Sequence, residues 1–184
     1  MIFLETILKD AYLVKPEPFT DDRGYFSRMF CKDKFRKIGF QKEFVQFNHS
    51  LNTHKHTLRG FHYQVPPFIE TKLIGCISGR VLDCIIDIRK NSTTFLKSFS
   101  IELSATDPHM VLVPEGFAHG YITLEDKSGM VYFHTAFYKP GFERGLRYND
   151  PALDIQLPVQ PEIVSEKDRN LPLIEETQFE GLDI

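Results

Sequence analysis

Between residues 11 and 157 the chain is a succession of short apolar or alternating runs, each closed by Gly, Pro, Asp or Asn. This is the pattern of many strands and few helices, arranged as an antiparallel sandwich or barrel. Strands are expected at 12–15, 24–30, 44–50, 58–64, 72–78, 79–87, 97–103, 109–113, 119–123 and 130–138, with Ser78-Gly79 as the tight turn of a hairpin. A short packing helix is expected at 32–38, where Phe35 and Ile38 share a face and Gly39 supplies the stop. Past Leu157 the pattern changes. Pro158, Pro161 and Pro172 break any sheet, and Ser165-Glu166-Lys167-Asp168 reads as a turn or short helix that folds segment 158–184 back onto the barrel.

Composition adds bounds to this picture. A length of 184 residues suits one domain with a sizeable core and is short for two, so 1–184 is read as a single domain. The net charge of −3 comes from 22 basic and 25 acidic residues mixed along the chain, which gives no field for nucleic acid and requires a local cluster for any bound anion. No apolar run approaches the ~20 residues of a membrane span, and the opening Met-Ile-Phe-Leu-Glu-Thr is too soon charged for a signal peptide. A cytoplasmic address is therefore expected. Cys31, Cys76 and Cys84 form neither an even disulfide set nor a metal knuckle and are expected to be reduced and buried. Seventeen Phe and seven Tyr without Trp fit a barrel core filled by aromatic rings; Phe19, Tyr132 and Tyr138 are set apart for binding or chemistry.

Seven histidines in a strand-rich chain raise a metal-binding barrel first, because cupin barrels often hold a metal on His-x-His, a Glu and a further His. Val113-Pro114-Glu115-Gly116-Phe117-Ala118-His119 fits the second cupin signature, Pro-x-Gly-x-x-His. The first signature fails, since Gln64 stands where the partner of His62 should be, and after His54-Lys55-His56 no acidic residue follows until Glu70. One imidazole beside an amide makes a poor site for a divalent ion, so no metal is expected and the barrel mouth has a His free to act as a base. His54, His56, His109 and His134 are read as ordinary hydrogen-bonded residues.

The run Thr57-Leu58-Arg59-Gly60-Phe61-His62-Tyr63-Gln64, then Lys72-Leu73 and Pro114-Glu115-Gly116-Phe117-Ala118-His119-Gly120, resembles the dTDP-4-dehydrorhamnose 3,5-epimerase family. The likeness starts at Phe19-Thr20-Asp21-Asp22-Arg23-Gly24 and Gln46-Phe47-Asn48-His49-Ser50. It continues through Asp83, Asp87-Ile88-Arg89 and Asn149-Asp150-Pro151 and closes at Ser165-Glu166-Lys167-Asp168.

The resemblance implies an all-β cupin or jelly-roll barrel with a few short peripheral helices, working without metal or organic cofactor. It implies His62 as base, Asp168 as the carboxylate that orients it, Tyr132 as acid on the opposite face and Lys72 as stabiliser of the enolate oxygen. Arg23 and Arg59 would hold the diphosphate, and Phe19 and Tyr138 would sandwich the base. Gln46, Asn48, His119, Glu143, Arg28 and Lys167 complete the implied binding positions. Strands within about residues 1–30 would cross to a neighbouring subunit, giving a homodimer with shared sites and a nucleotide-diphosphate sugar as ligand.

Four positions depart from the family pattern. Arg28 replaces a carboxylate that helps hold thymine, and since guanidinium only donates, CDP- or GDP-linked sugars stand beside dTDP-linked ones. Phe133 replaces a Lys, Phe47 an acidic residue, and Leu157 a Trp. The expected function is inversion at C3, C5 or both of a nucleotide-linked 4-keto-6-deoxyhexose, used for surface polysaccharide. A 3,4-ketoisomerase would form a new keto sugar instead. A metal-dependent oxygenase would carry bound iron or manganese, and a pure sugar-binding cupin would need no acid and base on opposite faces of a ring.

Overall fold

Strand pairing over long sequence separations organises the chain. In the computed structural model, which describes residues 1–184, fourteen strands form two facing sheets and a separate hairpin. One sheet has the order β1 (Ile2–Glu5), β2 (Tyr12–Lys15), β10 (Met110–Val113), β7 (Lys72–Ser78), β12 (Ser128–His134), β5 (Gln46–Asn52). The other runs β13 (Glu143–Gly145), β6 (Thr57–Gln64), β11 (Phe117–Thr123), β8 (Arg80–Asp87), β9 (Ser98–Ser104), with β14 (Ile163–Val164) parallel beside β6. β3 (Phe19–Asp21) and β4 (Gly24–Phe26) pair only with each other. The architecture is the expected all-β barrel of the cupin type with short peripheral helices.

Alternation sends every second side chain between the sheets. Ile74, Cys76, Val111 and Met130 from the first sheet meet Val81, Ile85, Leu103, Phe117 and Tyr121 from the second. Each such large side chain removed from water contributes about 1.5–3 kcal/mol before chain entropy is set against it. β8 is apolar on both faces because Cys84 and Ile86 point outward into a second core, closed by Leu146, Leu153 and the C-terminal segment through Ile174, Phe179 and Leu182. The outer face of the first sheet is covered by α1 (Lys32–Phe35) and the 3-10 turn Arg36–Ile38, which bury Phe35 against Val14, Leu73 and Leu112. Gly39 stops that helix at φ 82°, as the sequence pattern predicts.

The expected strands 12–15 and 72–78 coincide with β2 and β7. Expected strand 130–138 ends at His134, because side-chain amides there replace the sheet partner: Tyr138 N donates to Gln46 Oε1 and Lys139 N to Gln64 Oε1. Expected strand 24–30 stops at Phe26, since the hairpin has no third strand to extend it. Strands β1, β3, β13 and β14 were not expected from pattern. All three cysteines are unpaired; Cys76 and Cys84 are buried, whereas Cys31 is only half-buried beside α1.

Candidate active site

At one end of the barrel the sheets leave a cleft of about 280 Å³. β6 supplies Arg59 and His62, which are three residues apart and would point to opposite faces of an unbroken strand. The register between β6 and β11 slips between His119 and Tyr121, and at that slip Gly60 adopts φ 128°. A Cβ on Gly60 would stand 2.4 Å from the Cα of Gly120, so the close approach that brings both residues to the cleft requires glycine.

His62 meets Asp168 across the cleft wall, with Nε2 2.6 Å from Oδ1. Asp168 is delivered by α2 (Glu166–Arg169), whose first turn is capped where Asp168 N donates to Ser165 Oγ at 3.1 Å. Burial alone would raise the Asp168 carboxyl, but hydrogen bonds from His62, Ser165 and the Gly60 backbone, with the His62 charge, hold it below its ordinary value. With Nε2–H given to this carboxylate, Nδ1 of His62 is the nitrogen available to take a proton.

The facing sheet supplies Tyr132 from β12. Its hydroxyl lies 3.2 Å from Ser50 Oγ, which in turn lies 3.0 Å from Tyr121 Oη. Burial pushes the Tyr132 phenol well above its ordinary value, Tyr121 adds to the rise, and the hydrogen bond with Ser50 opposes it. Tyr132 therefore keeps its proton at neutral pH and is available as a donor. Lys72, buried on β7, directs Nζ to the backbone oxygen of His62 at 3.3 Å and to Glu70 Oε1 at 3.4 Å.

Of the residues singled out from sequence, the cleft also gathers Gln46, Asn48, His119, Tyr138 and Glu143. His119 is anchored through Nε2, 2.6 Å from Oδ1 of the buried Asp83. Lys167 pairs with Glu143, and with Asp168 it lines an adjoining hollow behind His62. Phe19, Arg23 and Arg28 lie outside the cleft of their own chain: Phe19 and Arg23 are exposed on the β3–β4 hairpin, where Arg23 pairs with Asp21, and Arg28 is exposed just after it. Phe133 and Phe47 pack edge to face with centroids 4.9 Å apart, and Phe47 remains largely exposed.

His134, read as an ordinary hydrogen-bonded residue, is buried and hydrogen-bonded to Asn48 and Glu70, and it also lines the cleft. Ser50, Asn52, Tyr121, Asp83 and Glu70 are further members that sequence reasoning did not assign to the site. A signal for two of them was present, since Gln46, Asn48, Ser50 and Asn52 alternate along β5 as one polar face. Asn52 fixes Arg59, whose Nε donates to Asn52 Oδ1 at 2.7 Å, and donates in turn to Tyr121 Oη at 3.1 Å.

Gln64 is wholly occupied with structure, donating to Phe68 O and Phe137 O and accepting from Lys139 N. No three His, Cys, Asp or Glu side chains converge as metal ligands. No helix is long and apolar enough to cross a membrane.

The family model for dTDP-4-dehydrorhamnose 3,5-epimerase matches residues 5–176. The chain belongs to the dTDP-4-dehydrorhamnose 3,5-epimerase family. It is an enzyme of the isomerase class. A dTDP-4-dehydrorhamnose 3,5-epimerase of Shigella flexneri is 41% identical over 171 residues, 92% of this chain and 94% of its own. Among solved structures, the dTDP-4-dehydrorhamnose 3,5-epimerase of Bacillus anthracis, with TDP and PPi bound, superposes with a TM-score of 0.91 at 39% identity, covering 94% of this chain and 99% of that one. A dTDP-6-deoxy-D-glucose-3,5-epimerase of Legionella pneumophila, in complex with dTDP-4-keto-L-rhamnose, gives a TM-score of 0.92 at 31% identity, with 99% and 97% coverage.

Proposed function

We propose that this epimerase inverts C3 and C5 of a dTDP-linked 4-keto-6-deoxyhexose through an enolate. The observation that carries the reading is the placement of His62, paired with Asp168, and Tyr132, paired with Ser50, on opposite sheets that wall one cleft. A sugar ring between them presents one face to a base and the other to an acid, which is what inversion of a carbon next to a ketone requires.

His62 Nδ1 takes the proton from C3 or C5, the C–H electron pair moves into the ring, and negative charge collects on the C4 oxygen. Lys72 stabilises that oxygen, and Asp168 stabilises the imidazolium. Tyr132 then gives its proton to the carbon from the other face. A phenol with a raised pKa is still a stronger acid than a C–H beside a ketone, and the Ser50 hydroxyl is placed to donate to the phenolate. A proton returned from His62 to Tyr132 by way of solvent resets the site for the second carbon.

Arg59 holds the diphosphate, Tyr138 stacks on the base, and Gln46, Asn48, His119, Glu143 and Lys167 line the approach. Phe19, Arg23 and Arg28 serve the site of a second copy in a homodimer. Support for the exchange comes from the β3–β4 hairpin, which is exposed at every residue and pairs with no other strand of its own chain. The edge strand β5 also exposes Phe47 and Leu51. The reading places the enzyme in the cytoplasm, making deoxysugar donors for surface polysaccharide.

Incubation in D2O with dTDP-, CDP- and GDP-linked 4-keto-6-deoxyglucose, followed by NMR, tests the proposal. Deuterium at both C3 and C5 with the dTDP sugar, and an inverted product, is expected. Exchange at one carbon, or with another nucleotide alone, would replace the reading by a mono-epimerase or by another nucleotide specificity.

A further inference from the structure

Gln46, Asn48, His134 and Glu70 form a hydrogen-bonded row along the cleft that the acid–base pair does not use, and one fixed donor sets its direction. Tyr138 N–H donates to Gln46 Oε1 at 3.0 Å, so the Gln46 amide turns its Nε2 toward Asn48 Oδ1, 3.3 Å away. Asn48 then presents Nδ2 to His134 Nε2 at 3.2 Å. A donor at that nitrogen makes it the acceptor, so the ring proton of His134 sits on Nδ1, 2.8 Å from Glu70 Oε2. The second oxygen of Glu70 faces Lys72 Nζ at 3.4 Å.

We propose that His134 is a positioning residue that ties the Tyr138 segment, at the nucleotide end of the cleft, to the Lys72 ammonium at its sugar end, and that protonation of His134 uncouples them. The naming of the two ends rests on the epimerase reading. His134 lies mid-sheet, opposite Gln46 on β5 and Lys72 on β7. The groups that face its ring are the Glu70 carboxylate from the β6–β7 connection, the Lys72 ammonium, the Tyr132 ring at 6.1 Å on its own strand, and only uncharged amides from β5. Burial raises the Glu70 carboxyl, but the His134 hydrogen bond and the Lys72 charge outweigh it, so Glu70 remains an acceptor.

A second proton on His134 goes to Nε2 and faces the Asn48 amino group. Asn48 must then turn, and Gln46 either turns after it, setting its amino group against Tyr138 N–H, or gives up its exposed 3.3 Å contact to Asn48. One proton therefore cuts the row between His134 and the Tyr138 segment.

Calorimetric binding of dTDP between about pH 8 and about pH 5.5, with long-range ¹H–¹⁵N NMR of the ring, tests this in wild type, His134→Leu and His134→Gln. Wild type is expected to show the Nδ1–H tautomer and to lose affinity as pH falls. His134→Leu is expected to bind about tenfold more weakly at the upper pH, the cost of severing the row and leaving the buried Glu70 carboxylate without its His134 donor. His134→Gln, whose amide accepts from Asn48 and donates to Glu70 at every pH, is expected to retain affinity and to lose the His134 part of the pH dependence. His62, His119 and His49 also line the cleft and are present in all three proteins, so the difference between wild type and His134→Gln isolates His134.

An Nε2–H tautomer, wild-type binding by His134→Leu, or an unchanged pH dependence in His134→Gln would each overturn the proposal. Absence of turnover with the dTDP-linked keto sugar, with the expected tautomer and binding results in hand, would count against the epimerase reading alone.

Discussion

Asp168 Oδ1 lies 2.6 Å from His62 Nε2 although 106 positions separate the two residues along the chain. The link is made by β14, which pairs in parallel with the start of β6 through Ile163 opposite Thr57, and by the Ser165 cap that begins α2 immediately afterward. The carboxylate is thus set by backbone pairing and a helix cap before its side chain touches the imidazole.

Replacing Asp168 by Asn should leave the nucleotide sugar bound and lower kcat by about 10²–10⁴-fold, since the amide can neither fix the tautomer nor stabilise imidazolium. Steady-state kinetics with KM and kcat resolved will show it, and an equal rise in KM would point to a binding role instead.

The same carboxyl predicts an acid limb in stability. Its folded pKa is depressed below the ordinary value near 3.8, so its contribution is present above that pH and is lost as pH falls through the folded pKa. Urea unfolding of wild type and Asp168→Asn at neutral pH and below about pH 3.8 should show the gap between them closing in acid.

Tyr132→Phe should separate exchange from inversion. His62 can still remove the C–H proton and return a deuteron from the same side, so deuterium should enter the substrate in D2O while epimer formation falls by about 10²–10⁴-fold. Loss of exchange together with inversion would mean that Tyr132 takes part before the enolate forms.

The proposed sharing of sites between subunits gives a mixing experiment. Arg23→Ala and His62→Ala chains, each nearly inactive, should recover activity when unfolded together and refolded, because random pairing leaves about a quarter of all sites with both residues. Persistent inactivity of the mixture would place Arg23 in the service of its own chain.

Gly60→Ala should destabilise the fold by at least about 2 kcal/mol, because φ 128° is strained for alanine and its Cβ would strike the Cα of Gly120. Thermal unfolding will measure this directly, with Gly24→Ala, which meets nothing within 4 Å at a similar φ of 121°, separating backbone strain from collision.

Legibility in the sequence followed locality. Residues 72–78 read as a strand because an apolar run ends in a glycine turn, and the helix at Phe35 because its face and its stop are both local. β14 was not readable, since two residues become a strand only through a partner more than a hundred positions earlier. His62, Tyr132 and Lys72 were found through their motifs, and the structure places them around one cleft. His134 was passed over because an isolated imidazole has no meaning until Glu70, 64 positions away, is folded against it. The hairpin residues Phe19 and Arg23 carry a recognisable motif, but in their own chain they stand exposed outside the cleft, and the proposed dimer is what gives them a site.

The mixed core that joins the sheets has a bearing on stereochemistry. His62 and Tyr132, the proposed base and acid, stand on separate sheets, and Ile74 and Met130 on one side pack against Ile85 and Leu103 on the other between those sheets. Trimming or enlarging those side chains acts on the separation of the sheets, and so on how His62 and Tyr132 face whatever lies between them. On the proposed mechanism, mutational drift in the barrel interior reaches the acid–base geometry without touching a residue of the cleft.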